Sequence, residues 1–243
     1  TSIVNLGHPM VKGAGWFNSK SQTAEAERIM RRTPFAINPH ILKMLISNKH
    51  LLSAEDQLLE PLALVASRKE QFFYPISFDY RGRMYYRGGM LNPQGSDLNK
   101  ALHMFSDKAP IGKQGRAAIC LALADAMGIK SAKSQIVTEV LDLDLEALAA
   151  GTMLEEKKGT LSGFVAAGLA QELLELDAWE TLGNTRESFM SGIVCHQDAT
   201  CSGLQIAAAI TGHRDTAIAT NCTASDKTEV RQDVYGDVAA ICA

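Results

Sequence analysis

Apolar residues recur at helical spacing along most of this chain, and polar punctuation divides it into elements. Ser21 can cap a helix running to Arg32, and Pro39 suits the first turn of one carrying Ile41, Leu42, Leu45 and Ile46. Ser53, followed by Asp56, marks another start, with Pro61 placed to kink or divide that helix. Phe72 to Phe78 is aromatic and β-branched and predicts a strand. Helices are predicted from Gly112 to Met127, stopping at Gly128, and from Ser134 to Leu148. Leu161 to Leu176 predicts a strongly apolar, buried helix. Phe189 to Gln197 reads as a strand, Ser202 to Thr211 as a helix behind it, and Asp226 to Ala243 as a last helix. Thr1 to Lys20 has no periodicity and reads as an extended arm. The fold class this implies is α+β, mostly helical with few strands.

Composition narrows the picture only slightly. A chain of 243 residues with 46% hydrophobic content can hold one large or two small domains. No apolar run reaches the length that spans a bilayer. Five cysteines, odd in number and scattered, point to free thiols in a reducing compartment. The net charge of −3 argues against a nucleic-acid partner until its distribution is considered. From Arg81 to Lys133 the bases Arg81, Arg83, Arg87, Lys100, Lys108, Lys113, Arg116, Lys130 and Lys133 outnumber Asp97, Asp107 and Asp125. The reverse holds from Glu139 to Glu187, which reads as solvated outer surface. A basic stretch suits a phosphate backbone.

Two blocks carry candidate chemistry. In Phe78-Asp79-Tyr80-Arg81-Gly82-Arg83, two arginines flank a glycine, so a flexible backbone and two cationic forks can approach phosphates closely. In His196-Gln197-Asp198-Ala199-Thr200-Cys201-Ser202-Gly203-Leu204-Gln205, a hydrophobic run ends in a carboxylate and turns into a helix start. A rigid strand can hold such a carboxylate facing a cleft. Together these blocks resemble the single-subunit phage and mitochondrial DNA-dependent RNA polymerases, the first their D-x-x-G-R element and the second their motif A. Pro93 to Asp97, Lys100, Pro110 to Lys113 and Asp233 to Gly236 resemble the same family, in its order, and Thr33 to Leu42 does so more weakly.

The resemblance implies template-directed addition of ribonucleotides. It makes Asp198 the catalytic carboxylate of a two-metal Mg²⁺ site, with the Ala199 carbonyl as a further metal ligand where the family has glycine. On spacing alone, Asp198 reads rather as a cap of the helix at Ser202, because aspartate is a common cap, and it is the resemblance that reverses this. The resemblance also implies that Asp79, Arg81, Arg83 and Lys100 contact the template and the RNA–DNA hybrid, with Asp79 orienting an arginine. Lys227, Arg231, Tyr235 and Gly236 mimic a nucleotide-binding helix, but block order makes theirs a structural helix, with Tyr235 a possible neighbour of the active site. A zinc site at Cys195, His196 and Cys201 is disfavoured, because no CxxC pair exists and adjacent strand residues point to opposite faces.

In that family's terms, residues 1–70 are an N-terminal arm and helical segment, and residues 71–243 a partial palm without fingers. No His-Asp dipeptide is present to supply the family's second catalytic aspartate. The expectation is a fragment, or the small subunit of a split phage enzyme in the host cytoplasm. Such a subunit would act only as a heterodimer with a chain carrying the fingers and that aspartate. DNA template, RNA product and ribonucleoside triphosphates are the other expected partners, with no membrane. Two rival readings are a non-catalytic nucleic-acid-binding subunit and a palm fragment of a DNA polymerase.

Overall fold

The structure is a computed structural model that describes residues 22–79, 83–129, 131, 133–151, 154, 163–196, 202–223 and 232–242. It divides into two compact units. The first comprises residues 1–116 and 144–194, and the second residues 117–143 and 195–243.

The first unit begins with α1 (Gln22–Arg32), β1 (Phe35–Ile37) and α2 (Pro39–Ser47). Asn38 caps α2 with its side chain, accepting the His40 and Ile41 N–H groups, and Pro39 occupies the first turn where no N–H is needed. Ser53 caps α3 (Ala54–Gln57) through the Asp56 N–H. The chain then resets at Leu58 and continues as α4 (Leu59–Ser67). Pro61 therefore sits in the first turn of a new helix, where proline is tolerated. Next come β2 (Ile76–Phe78), β3 (Met84–Tyr86), α5 (Asp97–Leu102), β4 (His103–Phe105) and β5 (Ala109–Pro110).

The expected strand from Phe72 to Phe78 is shorter, with only Ile76–Phe78 in a ladder and Phe72 in an isolated bridge to Phe35. Pro75 between them lacks the N–H that a continuous ladder needs. Among the described residues the sheets are three antiparallel pairs, β1 with β4, β2 with β3, and β5 with β6 (Met190–Ser191). The expected strand from Phe189 to Gln197 is thus confined to two ladder residues, with residues 192–196 outside any ladder. Its partner β5 offers two residues and ends in Pro110.

The expected helix from Ser134 to Leu148 is two helices, α7 (Lys133–Leu141) and α8 (Leu145–Ala150). Asp144 breaks it by capping α8, accepting the Ala147 N–H at 2.9 Å. The apolar helix is α9 (Gly163–Thr181), and Leu161 lies outside the described residues. Its first half, Gly163 and Ala166 to Ala170, is small and buried. Small side chains let it approach α2, with the Ile41 and Asn38 side chains beside Gly168.

One core joins these elements. Phe35, Ile41, Leu45, Leu59, Phe72, Tyr74, Leu98, Leu102 and Ala167 are almost fully buried in it, so residues on both sides of position 70 share one interior. Each fully buried Ile or Leu contributes roughly 1.5–3 kcal/mol. Aromatic rings form its centre, with Phe35 against Tyr74 at 5.6 Å and against Tyr86 at 5.3 Å, both edge to face. Two polar groups are buried there as a pair. Asn99 offers only a carbonyl to His103, so Nδ1 carries the proton at 2.6 Å, and Nε2 accepts from the Tyr74 hydroxyl at 2.6 Å. Burial holds the Tyr74 phenol far above its ordinary range, which keeps that donor protonated.

The second unit holds most of α6 (Gly115–Met127), then α7, α10 (Ser202–Thr211), α11 (Arg214–Ala219) and α12 (Val234–Cys242). Gly128 ends α6 with a positive φ. The Thr220 carbonyl accepts from Gln205 of α10 at 2.7 Å. The final helix begins at Val234, and residues 224–231 lie outside the described residues. No helix is long and apolar enough to cross a membrane among the described residues. Among the described residues, Cys120, Cys195 and Cys222 are not in disulfides.

Candidate nucleic-acid interface

Arg83 and Asp79 stand at the tip of the β2–β3 hairpin. Its register sets Ile76 opposite Tyr86, Ser77 opposite Tyr85 and Phe78 opposite Met84. At the tip, the Asp79 N–H donates to the Arg83 carbonyl at 3.0 Å. The Asp79 carboxylate accepts the Arg83 N–H at 2.9 Å and the Tyr85 hydroxyl at 3.3 Å. Asp79 thus orients Arg83 through its backbone, closing the hairpin. The Arg83 side chain is exposed. Arg81 lies outside the described residues.

The base of the hairpin is pinned in the core. Ile76 is buried, and Tyr86 packs edge to face on Phe35 and Tyr74. Burial also pushes the Tyr86 phenol up, opposed by a hydrogen bond to Thr33. The chain then turns through Gly88. A Cβ at that position would lie 2.1 Å from the Leu91 carbonyl oxygen, so only glycine fits.

Residues 92–97 tie this hairpin to α5 and α9. Asn92 donates from its side chain to the Tyr86 carbonyl at 3.2 Å, and Gln94 accepts the Tyr86 N–H at 2.8 Å. Ser96 caps α5 by accepting the Asn99 N–H. Asp97 reaches the start of α9, accepting the Phe164 N–H at 2.8 Å and the Val165 N–H at 3.4 Å. Lys100 lies on α5, half-buried, one turn beyond Asp97. The sequence pattern singled out Arg83 and Lys100 but gave no role to Asn92, Gln94 or Asn99. Their amides act only on partners that the fold brings near.

The chain that leads towards position 198 is held on both sides. Phe105 donates its N–H to the Gly192 carbonyl at 2.7 Å, and Ile111 donates to the Phe189 carbonyl at 3.0 Å. A Cβ on Gly192 would lie 2.4 Å from the Phe105 carbonyl oxygen, so this close approach requires glycine. The Ser191 hydroxyl oxygen accepts the Ile193 N–H at 3.1 Å. Glu172 of α9 also hydrogen-bonds Ser191, and burial holds its carboxyl above the ordinary glutamate range. Neighbouring Glu175 adds to that rise, while the Ser191 hydrogen bond and Lys108 oppose it. Sequence reasoning missed Glu172, because nothing in an apolar helix marks which carboxylate faces inward.

Asp198 and Ala199, the expected metal ligands, lie outside the described residues. Among the described residues no group of three His, Cys, Asp or Glu side chains is placed to hold a metal ion. In the second unit, Asp233 accepts the Gly236 N–H at 3.1 Å and so starts α12, on which Tyr235 is exposed. Asp233 and Gly236 therefore have a local structural use.

Residues 167–243 match the family model described as DNA-dependent RNA polymerase. The chain is 37% identical over 147 residues to a DNA-directed RNA polymerase of Pseudomonas phage phiKMV, covering 57% of the chain and 17% of the relative. It is 31% identical over 190 residues to a chloroplastic/mitochondrial DNA-directed RNA polymerase of Nicotiana tabacum, covering 74% of the chain and 18% of the relative. It is 27% identical over 212 residues to the mitochondrial enzyme of Mus musculus, covering 79% of the chain and 16% of the relative. The chain therefore spans less than a fifth of the length of these curated relatives.

Proposed function

We propose that this relative of the phage and mitochondrial DNA-dependent RNA polymerases supplies a catalytic carboxylate and nucleic-acid contacts to template-directed RNA synthesis. The observation that carries this reading is similarity to named polymerases over about three quarters of the chain, beside the resemblance of the two chemical blocks in the sequence. Asp198 is the metal ligand and the Ala199 carbonyl joins it. A carboxylate and a backbone carbonyl are hard oxygen donors and fit Mg²⁺. When bound, paired metals activate the attacking 3′-hydroxyl and stabilise the leaving pyrophosphate.

The remaining roles fall to residues of the first unit. Arg83 at the hairpin tip, with Arg81 of the same sequence block, grips the phosphate backbone of the template or hybrid, and Lys100 adds a further cation. Their charge acts without regard to base sequence. Gly192, Phe105 and Ser191 hold the segment that enters motif A. In the polymerase reading this chain is the beginning of a palm, and Tyr235 lies near the active site. The second carboxylate and the nucleotide-binding fingers come from polypeptide other than these 243 residues, as a separate chain or a continuation. A phage source, by analogy with the Pseudomonas phage relative, places the reaction in host cytoplasm.

The test is Asp198→Asn in the active polymerase that contains this segment. The amide keeps the shape and loses the charge that holds metal. Extension of a primed template with ribonucleotides and Mg²⁺ should fall about a hundredfold or more, equivalent to at least ~2.7 kcal/mol of transition-state stabilisation. Hybrid binding should not change. Near-normal extension would show that Asp198 only caps the helix at Ser202.

A further inference from the structure

We propose that Gln94 and Asn92 are positioning residues, whose side-chain amides clamp the outer edge of β3 and so hold Arg83 for a nucleic-acid backbone. The inference rests on the reading of Arg83 and Lys100 as backbone contacts. In an antiparallel pair, every second residue points its N–H and C=O away from its partner strand. Asp79 donates to the Arg83 carbonyl and Arg87 donates to the Pro75 carbonyl. Those pairs, with Ser77 and Tyr85 between them, are the hydrogen-bonded ones. Tyr86, opposite Ile76, therefore faces outward with both backbone groups. Such an edge would otherwise depend on water or a passing strand.

Two side chains cover that edge instead. Gln94 accepts the Tyr86 N–H, and Asn92 donates to the Tyr86 carbonyl. The same Asn92 side chain accepts the Gln94 backbone N–H at 2.9 Å, so Asn92 holds the backbone that carries Gln94. The Asn92 backbone N–H then donates to the Asn99 side chain at 3.0 Å. Asn99 is buried on α5 and immediately precedes Lys100. An unbroken path of hydrogen bonds thus runs from the strand that follows Arg83 to the helix that bears Lys100. Two cations on separate elements act on one polyanion only if their elements keep a fixed relation. The amides, uncharged themselves, supply that relation without repelling phosphate.

The test is hybrid binding by the full 243-residue chain, measured by fluorescence anisotropy with a short RNA–DNA hybrid at several salt concentrations. Gln94→Met keeps the length of the side chain and removes the acceptor. Gln94 is exposed, so water replaces it and thermal stability should stay at the parent's value. Affinity should fall roughly three- to tenfold, in the range shown by residues sharing one hydrogen-bonded network. The slope of log affinity against log salt should flatten by up to about 0.7–0.9, the loss of one phosphate contact. In an Arg83→Ala background, Gln94→Met should add nothing further, whereas a residue acting elsewhere would add its full effect. Parent-like binding by Gln94→Met beside a weakened Arg83→Ala variant would overturn this inference alone. Parent-like binding by Arg83→Ala would overturn the underlying reading of the hairpin.

Discussion

Removing the Asp97 carboxylate should uncouple α5 from α9, and its cost can be worked from two hydrogen bonds. Helix α9 starts at Gly163, so the Phe164 and Val165 N–H groups belong to its first turn and have no partner within the helix. Asp97, 67 residues upstream, accepts both, at 2.8 and 3.4 Å. Loss of a capping acceptor costs about 0.5–2 kcal/mol. Loss of a negative charge at the positive end of a helix adds about 0.3–1 kcal/mol. The sum, roughly 1–3 kcal/mol, agrees with the typical worth of a hydrogen bond to a charged group. In a chain of this size that lowers the melting midpoint by roughly 3–10 °C. Circular dichroism at increasing temperature measures it for Asp97→Ala. Asp97→Asn keeps one oxygen acceptor and should lose about half as much. Hydrogen exchange should quicken at the Phe164 and Val165 amides in particular. A variant Asp97→Ala that melts with the parent, with those two amides still protected, would refute the remote cap.

Two further outcomes test the segment that leads towards position 198. Gly192→Ala places a Cβ 2.4 Å from the Phe105 carbonyl oxygen and must displace backbone, so thermal unfolding should show a loss of about 1–3 kcal/mol, and an unchanged melt would contradict the close approach. Glu172→Gln tests the buried carboxyl, whose raised pKa means that the native state binds a proton more readily than the unfolded chain. Its favourable contribution is present in acid and is lost as pH rises through its native value, so the variant should gain midpoint over the parent at pH ~8 and lose that gain by pH ~4. A difference constant across that range would mean that the carboxyl is not desolvated.

Elements whose signals are local were legible in the sequence. Pro39, Ser53 and Gly128 mark real helix ends, because a first-turn proline, a cap or a left-handed glycine acts within one turn of itself. Periodicity found α9 and α10 for the same reason. Errors arose where a distant partner or one punctuating residue decided the outcome. Strand length at Met190–Ser191 is set by β5, a two-residue strand ending in proline some eighty residues earlier. The helix expected from Ser134 to Leu148 missed Asp144, which prefers to cap a new helix rather than continue the old one. Within the candidate interface, the exposed cation at Arg83 was legible because arginines beside glycine at a strand end are conspicuous. The groups that hold it were not, since the role of an amide depends on which backbone atom lies opposite.

Residues 92–97 show why a short polar string can be recognisable without any chemistry of its own. Asn92 and Gln94 satisfy the edge of β3, Ser96 starts α5, and Asp97 starts α9. Three elements of the first unit, β3, α5 and α9, therefore take their relative placement from six residues. Apolar packing could not do this as specifically, because a hydrophobic contact tolerates sliding, whereas a hydrogen bond is directional and weakens steeply when its partner shifts. Directional bonds between backbone and side chain fix register as well as proximity. Sites that must meet a regular polyanion need that register more than they need extra stability. A sequence block shared with nucleic-acid enzymes can thus mark the scaffold that aligns the cations rather than the cations themselves. Substitutions within 92–97 should then change binding and salt dependence well before they change whether the chain folds, Asp97 excepted.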